Sequence, residues 1–380
     1  MIKSRPSFET LRPYYDEELN DAFGRITAHS HFAAIARYIF PERSLEEITE
    51  DLLSVRTSFE FQKKYMHKGI RIILERSSDG LTCSGFENLS PDKPCLYISN
   101  HRDIFLDSGI LQILLVEHEL ETTEITFGSN LMDSPFLIDF GKVNRMFSVL
   151  RSGSKRELYE NALLVSAYIR HVISEKKVSV WISQRNGRTK DGMDKTQDGV
   201  LKMIAMNSRK GFLGDFLPLN IIVVSVSYEY EPCDFLKVRE LYLSKNETYH
   251  KNPGEDLNSI LTGVFQQKGK IHLALSEPFG QYLEYIDGHF PETGKISALA
   301  KEIDHRIYKN YKIWKTNYIA YDLLEGKNTF ADHYSEEERV QFIIYMSEGL
   351  SAIDGKKEEL EEIFLRIYSN PVKNYLNIQA

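Results

Sequence analysis

The feature that most constrains this chain is an alternation that begins at Cys95. Short β-like runs trade places with helical stretches as far as Leu275. The strand candidates are Cys95–Ser99, Glu124–Phe127, Met146–Leu150, Val178–Ser183, Leu219–Tyr228 and Lys270–Leu275. Between them, Asp107–Leu120, Lys155–Ser174 and Asp198–Asn207 have helical spacing. Strands alternating with helices predict an α/β fold, with a central mixed sheet flanked by helices.

Both flanks of that region read differently. Leu19–Tyr38, Leu45–Leu53 and Phe59–Leu74 place apolar residues at helical intervals, and Pro41 separates the first two. Gly80–Pro94 is rich in Gly, Ser, Asn, Asp and Pro, which predicts turns and short edges. Residues 296–324 return to helical spacing, and Ser335-x-x-Glu338 forms a capping box ahead of a C-terminal helix. The expected organisation is an N-terminal helical region over 1–79, an α/β domain over 80–325 and a helical tail over 326–380.

Composition excludes several classes. The 47 basic and 55 acidic residues leave a net charge of −8, unlike the basic surface of a general nucleic-acid binder. Met1–Pro6 is polar with no apolar stretch after it, so no secretory leader is expected. The longest apolar run, Leu217–Val226, is about half of the ~20 residues a membrane-spanning helix needs. Cys83, Cys95 and Cys233 are too few and too scattered for a disulfide framework or a zinc cluster, and read as small buried hydrophobes; no metal or cofactor is expected.

Four segments hold residues that can do chemistry. In Asn100-His101-Arg102-Asp103-Ile104-Phe105-Leu106-Asp107 a strand ends and a helix begins. A His with a carboxylate nearby can form a base and its orienter, while the same Asp103 or Asp107 can simply cap the helix. In Gln184-Arg185-Asn186-Gly187-Arg188-Thr189-Lys190 a basic turn follows a β-like run. It suits a phosphate, or is a solvated loop. Gly128-Ser129-Asn130 is followed by Lys142, Arg145, Arg151, Lys155 and Arg156 without an intervening acid after Lys142. A basic cluster in an acidic chain points to a local anionic ligand, or decorates the helix that follows. Pro218 opens a buried strand that ends near Tyr228.

In order and content, these blocks resemble the glycerophospholipid acyltransferase family, over roughly residues 80–325. That family carries Asn-His-x-x-x-x-Asp, a Gly-x-Asn and Arg-rich block, Glu-Gly-(Thr/Gly)-Arg-Ser and a Pro-containing strand. Here Asn100-His101, Gly128-Ser129-Asn130 with Arg145 and Arg151, Gly187-Arg188-Thr189 and Pro218 match in turn. Gly85-Phe86-Glu87-Asn88-Leu89 and Ser276-Glu277-Pro278 are also similar, and the flanks resemble a bacterial subgroup of glycerol acyltransferases. Two departures stand out. Five residues separate His101 from Asp107 where the family has four, which leaves Asp103 as an alternative to Asp107. Gln184 and Arg185 stand near the family's Glu.

The resemblance implies acyl transfer from acyl-CoA or acyl-carrier protein to a hydroxyl of glycerol 3-phosphate or 1-acylglycerol 3-phosphate. His101 is then the base and Asp107 its orienter. Asn100, Asn130, Arg145, Arg151, Arg185, Gly187, Arg188 and Lys190 are expected to bind substrate. A lipid acceptor implies a peripheral enzyme on the inner face of the cell membrane. It would dock through the N-terminal helices or through the 279–325 segment, with Phe279, Tyr282, Tyr285 and Phe290 at its start. The alternatives are a metal-dependent phosphoesterase using His101, Asp103 and Asp107, or a non-catalytic binder of lipid phosphate or acyl carrier.

Overall fold

The structure, a computed structural model, describes residues 7–131, 134–208, 210–245, 249–252 and 254–379. Met1–Pro6, considered above for a leader, lies outside them.

Seven strands form one sheet: β1 (Leu81–Ser84), β2 (Leu96–Ser99), β3 (Glu124–Gly128), β4 (Met146–Val149), β5 (Val180–Ser183), β6 (Ile221–Tyr228) and β7 (Ile271–Leu275). Their spatial order is β1-β7-β6-β2-β5-β3-β4. Only β6 and β7 pair antiparallel, so the sheet is mixed. Strands β2 to β6 all end at one edge of the sheet, where ligands bind in open α/β folds.

Both faces of the sheet are covered, so β6 is buried along its whole length, and only Ser225 and Ser227 interrupt its apolar sequence. Ile222, Val224, Val226 and Tyr228 enter one core, while Ile221 and Val223 enter the other. The first core also holds Phe23, Phe32, Ile48, Phe61 and Ile70, so the N-terminal helices pack directly on the sheet. The second is completed by helices Lys155–His171, Asp198–Ala205, Gly280–His289 and Glu292–Asn310. A third cluster joins helices Lys315–Glu325, Glu336–Leu350 and Lys357–Asn377 to Val238.

Local chemistry sets several boundaries. The expected run over Leu19–Tyr38 is two helices, Leu19–Ala28 and Ser30–Ile39. His29 is extended between them and its Nδ1 accepts from the His31 N–H at 3.3 Å. Ser335 and Glu338 form the expected capping box reciprocally. Strand β1 and helices Pro135–Val143, Asp234–Leu243 and Glu255–Phe265 had no individual sequence signal. Among the described residues, no helix is long and apolar enough to cross a membrane.

Candidate active site

The loop that leaves β2 is held on both sides. The Gln184 N–H donates to Ser99 O at 2.8 Å, and the Thr189 N–H donates to His101 O at 2.6 Å. The turn after β5 is thereby fastened to the His101 segment, and two regions far apart in sequence become one site.

Within it His101 and Asp107 are paired, with Nδ1 3.0 Å from Asp107 Oδ2. Asp107 lies in the first turn of helix Leu106–Glu117 and is fully buried. Its Oδ2 also accepts the N–H groups of Arg102 (2.6 Å) and Asp103 (2.9 Å), and its Oδ1 accepts the Tyr228 hydroxyl at 2.8 Å. Four donors fix this carboxylate, so it can fix the imidazole in turn. Burial raises the Tyr228 phenol well above its usual range, so it stays protonated and donates. His101 Nε2 has no hydrogen bond among the described residues, and the ring packs edge-on to Trp181 at 5.9 Å.

Asp103 has another task. Its Oδ1 accepts the N–H groups of Phe105 (2.8 Å) and Leu106 (2.7 Å), capping the same helix. Burial and the neighbouring Asp107 push its carboxyl upward. No group of three His, Cys, Asp or Glu among the described residues is arranged to hold a metal ion. The Asp107 lone pairs are already spent on donors, which disfavours Asp107 as a ligand. Burial pushes the Cys95 and Cys233 thiols up to about 11, so neither is a ready nucleophile.

The basic residues divide. Arg188 is buried and forms no ion pair among the described residues, and its Nη1 has no partner. Arg151 is half-buried, also without an ion pair there, and desolvation lowers its pKa. A Cβ at Gly128 would meet Arg151 Nε at 2.4 Å, and one at Gly187 would lie 3.8 Å from its Nη1. Gly187 has φ +75°, a left-handed conformation that suits glycine. Arg151 therefore spans the ends of β3 and β5. Asn130 borders it and donates to Asp256 Oδ2 at 2.9 Å. Arg185 is half-buried, with its Nε unpartnered. Among the described residues, six of the nine buried side-chain polar atoms without a protein partner belong to Asp103, Trp181, Gln184, Arg185, Arg188 and Thr189. Unpartnered buried polar atoms are rare, so their concentration makes this edge the candidate binding site.

Three expected substrate ligands are placed otherwise. Asn100 uses its amide within the protein: Oδ1 accepts the Val226 N–H (2.8 Å), and Nδ2 donates to Val226 O (2.9 Å) and to Asp194 (3.2 Å). Arg145 precedes β4 and so lies at the opposite sheet edge, where it donates to Ser58 and Glu121 at 2.9 Å. Lys190 is bound to Glu240. Of the expected docking aromatics, Phe279 is core, Tyr282 is half-buried, and only Tyr285 and Phe290 are exposed.

The sequence marks Tyr228 only as the end of a buried strand. It gives no sign of the buried group of Arg102, Asp194, Glu231 and Lys237 beneath the site. Arg102 donates to Asp194 through Nε (3.0 Å) and to Glu231 through Nη1 (2.9 Å). Lys237 donates to Glu231 (2.5 Å) and to Arg102 O (2.8 Å).

Residues 80–229 match the family model described as Acyltransferase. A crystal structure of the 1-acyl-sn-glycerophosphate (LPA) acyltransferase PlsC from Thermotoga maritima is similar at 14% identity. The match covers 75% of this chain and 96% of that one, with a TM-score of 0.34. A search of curated proteins found no match.

Proposed function

We propose, from the premise that residues 80–229 form an acyltransferase-family domain, that this chain transfers a fatty acyl group from an acyl thioester to a hydroxyl of a glycerol phosphate. The observation that carries the reading is the His101–Asp107 pair, set at 3.0 Å on a sheet edge that also holds two arginines forming no ion pair among the described residues. The thioester would be acyl-CoA or acyl-carrier protein. The acceptor would be glycerol 3-phosphate or 1-acylglycerol 3-phosphate.

In this mechanism His101 Nε2 takes the proton of the acceptor hydroxyl as its oxygen attacks the thioester carbonyl. Asp107 holds the Nδ1–H and stabilises the imidazolium that forms. Collapse of the tetrahedral intermediate breaks the C–S bond, and the imidazolium proton passes to the departing thiolate. The products are the ester and the free thiol. Arg151 and Arg188 bind the acceptor phosphate, with Arg185, Gly187 and Asn130 bordering it. A dianion there would give charge-assisted acceptors to two guanidinium groups that form no ion pair among the described residues. Asp103, assigned to the helix cap, takes no part in proton transfer. The enzyme would act as a peripheral protein on the inner face of the cell membrane.

The test is thiol release from acyl-CoA and from acyl-carrier protein with each acceptor in turn. His101→Ala should lower the rate by about 10²–10⁴-fold with folding intact. Equal thiol release by wild type and His101→Ala would overturn the reading. Activity should survive chelation. Loss on chelation, restored by a divalent ion, would favour the phosphoesterase alternative.

A further inference from the structure

We propose that the outer face of helix Glu255–Phe265 seats this enzyme on a lipid bilayer and holds the active-site edge against the membrane. The inference rests on the acceptor being 1-acylglycerol 3-phosphate, the membrane lipid of the two acceptors proposed above.

The helix has two unlike sides. Its inner side carries Asp256, Ser259 and Gly263, spaced to share one face. Asp256 accepts from Asn130 at 2.9 Å, and Ser259 O lies 3.2 Å from Cys233 Sγ. A Cβ at Gly263 would fall 2.1 Å from Asp103 Oδ2, so only glycine lets the helix approach this closely. This face is a wall of the site.

The outer side carries Leu257, Leu261 and Phe265 at four-residue intervals, stacked along one stripe. They are 45%, 47% and 58% exposed. Over eight residues the stripe is about 12 Å long. Phe265 packs edge-on to Tyr38 at 5.6 Å, which extends the apolar surface onto helix Ser30–Ile39. Ile35, three residues earlier on that helix, is also exposed.

Cations stand at both ends. The Arg76 guanidinium lies 4.3 Å over the Tyr38 ring and forms no ion pair among the described residues. Lys251 stands at the other end, bound to Asp256 and 41% exposed. Asp256 and Glu255 offset Lys251 at its end, so Arg76 is the bordering cation without an ion pair among the described residues. An apolar stripe flanked by such a cation suits a helix lying in the headgroup layer, with the guanidinium reaching up to lipid phosphates. The rest of this chain, net −8, would be held off an anionic surface, which fixes one orientation.

The exposed aromatics of the 279–290 segment lie at the wrong end of the sheet. Helix Gly280–His289, which carries Tyr285, begins just after Phe279. The Phe279 N–H donates to Ile221 O, at the sheet edge opposite His101. Docking at that end would turn the reacting edge away from its lipid.

The experiment is co-sedimentation with vesicles of phosphatidylethanolamine and phosphatidylglycerol. The triple variant Leu257→Gln/Leu261→Gln/Phe265→Gln changes only exposed positions and keeps a good helix former. Its vesicle partitioning should fall at least about tenfold, as expected from losing three apolar anchors. Its thiol release with soluble glycerol 3-phosphate or a monodisperse short-chain 1-acylglycerol phosphate should match wild type. Tyr285→Gln/Phe290→Gln should partition as wild type does. Unchanged partitioning of the triple variant would overturn the proposal, as would loss in the Tyr285/Phe290 variant. So would a dimer that the triple variant dissolves without effect on vesicle binding. Thiol release by a wild-type protein that ignores vesicles overturns the docking face alone. Vesicle binding through this face without thiol release from any acceptor overturns the proposed chemistry alone.

Discussion

Arg102 and Arg188 are both buried arginines near His101, but their surroundings differ. Arg102 is enclosed by Asp194 and Glu231, and Lys237 completes a group of two cations and two anions whose charges cancel. Arg188 has no carboxylate within ion-pair distance among the described residues, and its Nη1 is unpartnered. Arg151, half-buried at the ends of β3 and β5, is in the same position. Leaving a buried charge without its partner costs several kcal/mol. In the proposed reading, the arginine left without an ion pair is the one that meets the acceptor phosphate, although its loop is fastened to that of Arg102 by the Thr189–His101 hydrogen bond. The residue type is the same in both; the supply of carboxylates decides which is scaffold and which is binding site.

The largest effect should come from opening the closed site. Arg102→Met leaves Asp194 and Glu231 facing each other around Lys237, and should cost about 3–5 kcal/mol of stability in urea denaturation. Arg188→Met, measured alongside, should leave stability unchanged or slightly raised. If both variants lose stability equally, the distinction between the two sites fails.

Asp234 lies between these extremes, a buried carboxylate with many donors and no ion pair among the described residues. It accepts from Tyr345 (2.8 Å), Tyr368 (2.7 Å), Gln266 (2.9 Å) and the Phe235 N–H (2.8 Å), which ties the C-terminal helices to the sheet. Burial nevertheless pushes its carboxyl up to about 6. The folded protein then holds this proton more tightly than the unfolded chain, whose carboxyl has the ordinary value of 3.8. Between pH 4 and 6 the native state binds more protons, so Asp234 takes stability away as pH rises through that window, and the loss is complete above it. Asp234→Asn removes the dependence. Its stability relative to wild type should improve by up to about 3 kcal/mol from pH 4 to pH 7. A difference that stays constant with pH in paired denaturation curves would refute this.

The open site should respond to its ligand. Saturating glycerol 3-phosphate at about 100 times Kd should stabilise wild type by about 2.7 kcal/mol. Arg151→Met and Arg188→Met should each lose about 2 kcal/mol of acceptor binding, a roughly 30-fold rise in acceptor KM, with thioester KM unchanged. An unchanged acceptor KM in both would remove the phosphate from this edge.

How much of this was legible follows from where each partner lies in the sequence. Six of the seven strands were visible because both sheet faces are buried, which leaves compact apolar runs. β1, with four residues alternating between half-buried and exposed, left no such run. His101 and Asp107 could be proposed together because seven residues hold both. The choice between Asp103 and Asp107 turned on loop geometry: Asp103 is drawn to the helix N–H groups, and its place in the sequence does not say so. Arg145 is more instructive. It sits six residues before Arg151 and was grouped with it, yet β4 runs between them. Four strand residues span about 13 Å, enough to carry the two arginines to opposite edges of the sheet. The expected strand at Met146–Leu150 already contained that separation. The closed group under the site was not legible, because its members at 102, 194, 231 and 237 meet only through the fold.

The smallest predicted effect probes how the catalytic pair is held. Tyr228 contributes one of four donors to Asp107, and it reaches there because β6 is long enough to end beside helix Leu106–Glu117. Tyr228→Phe keeps the ring in its apolar core and removes only the hydroxyl. It should cost about 1 kcal/mol of stability, the usual worth of a buried neutral donor. If Tyr228 positions Asp107, kcat should also fall several-fold while the KM values for thioester and acceptor hold. A purely structural hydroxyl would lower stability and leave kcat intact. The comparison with Arg188→Met is then direct: one variant acts on kcat through a satisfied carboxylate, the other on acceptor KM through an unsatisfied cation. Should Tyr228→Phe change acceptor KM instead, the hydroxyl belongs to the open side of the site, and three donors suffice for Asp107.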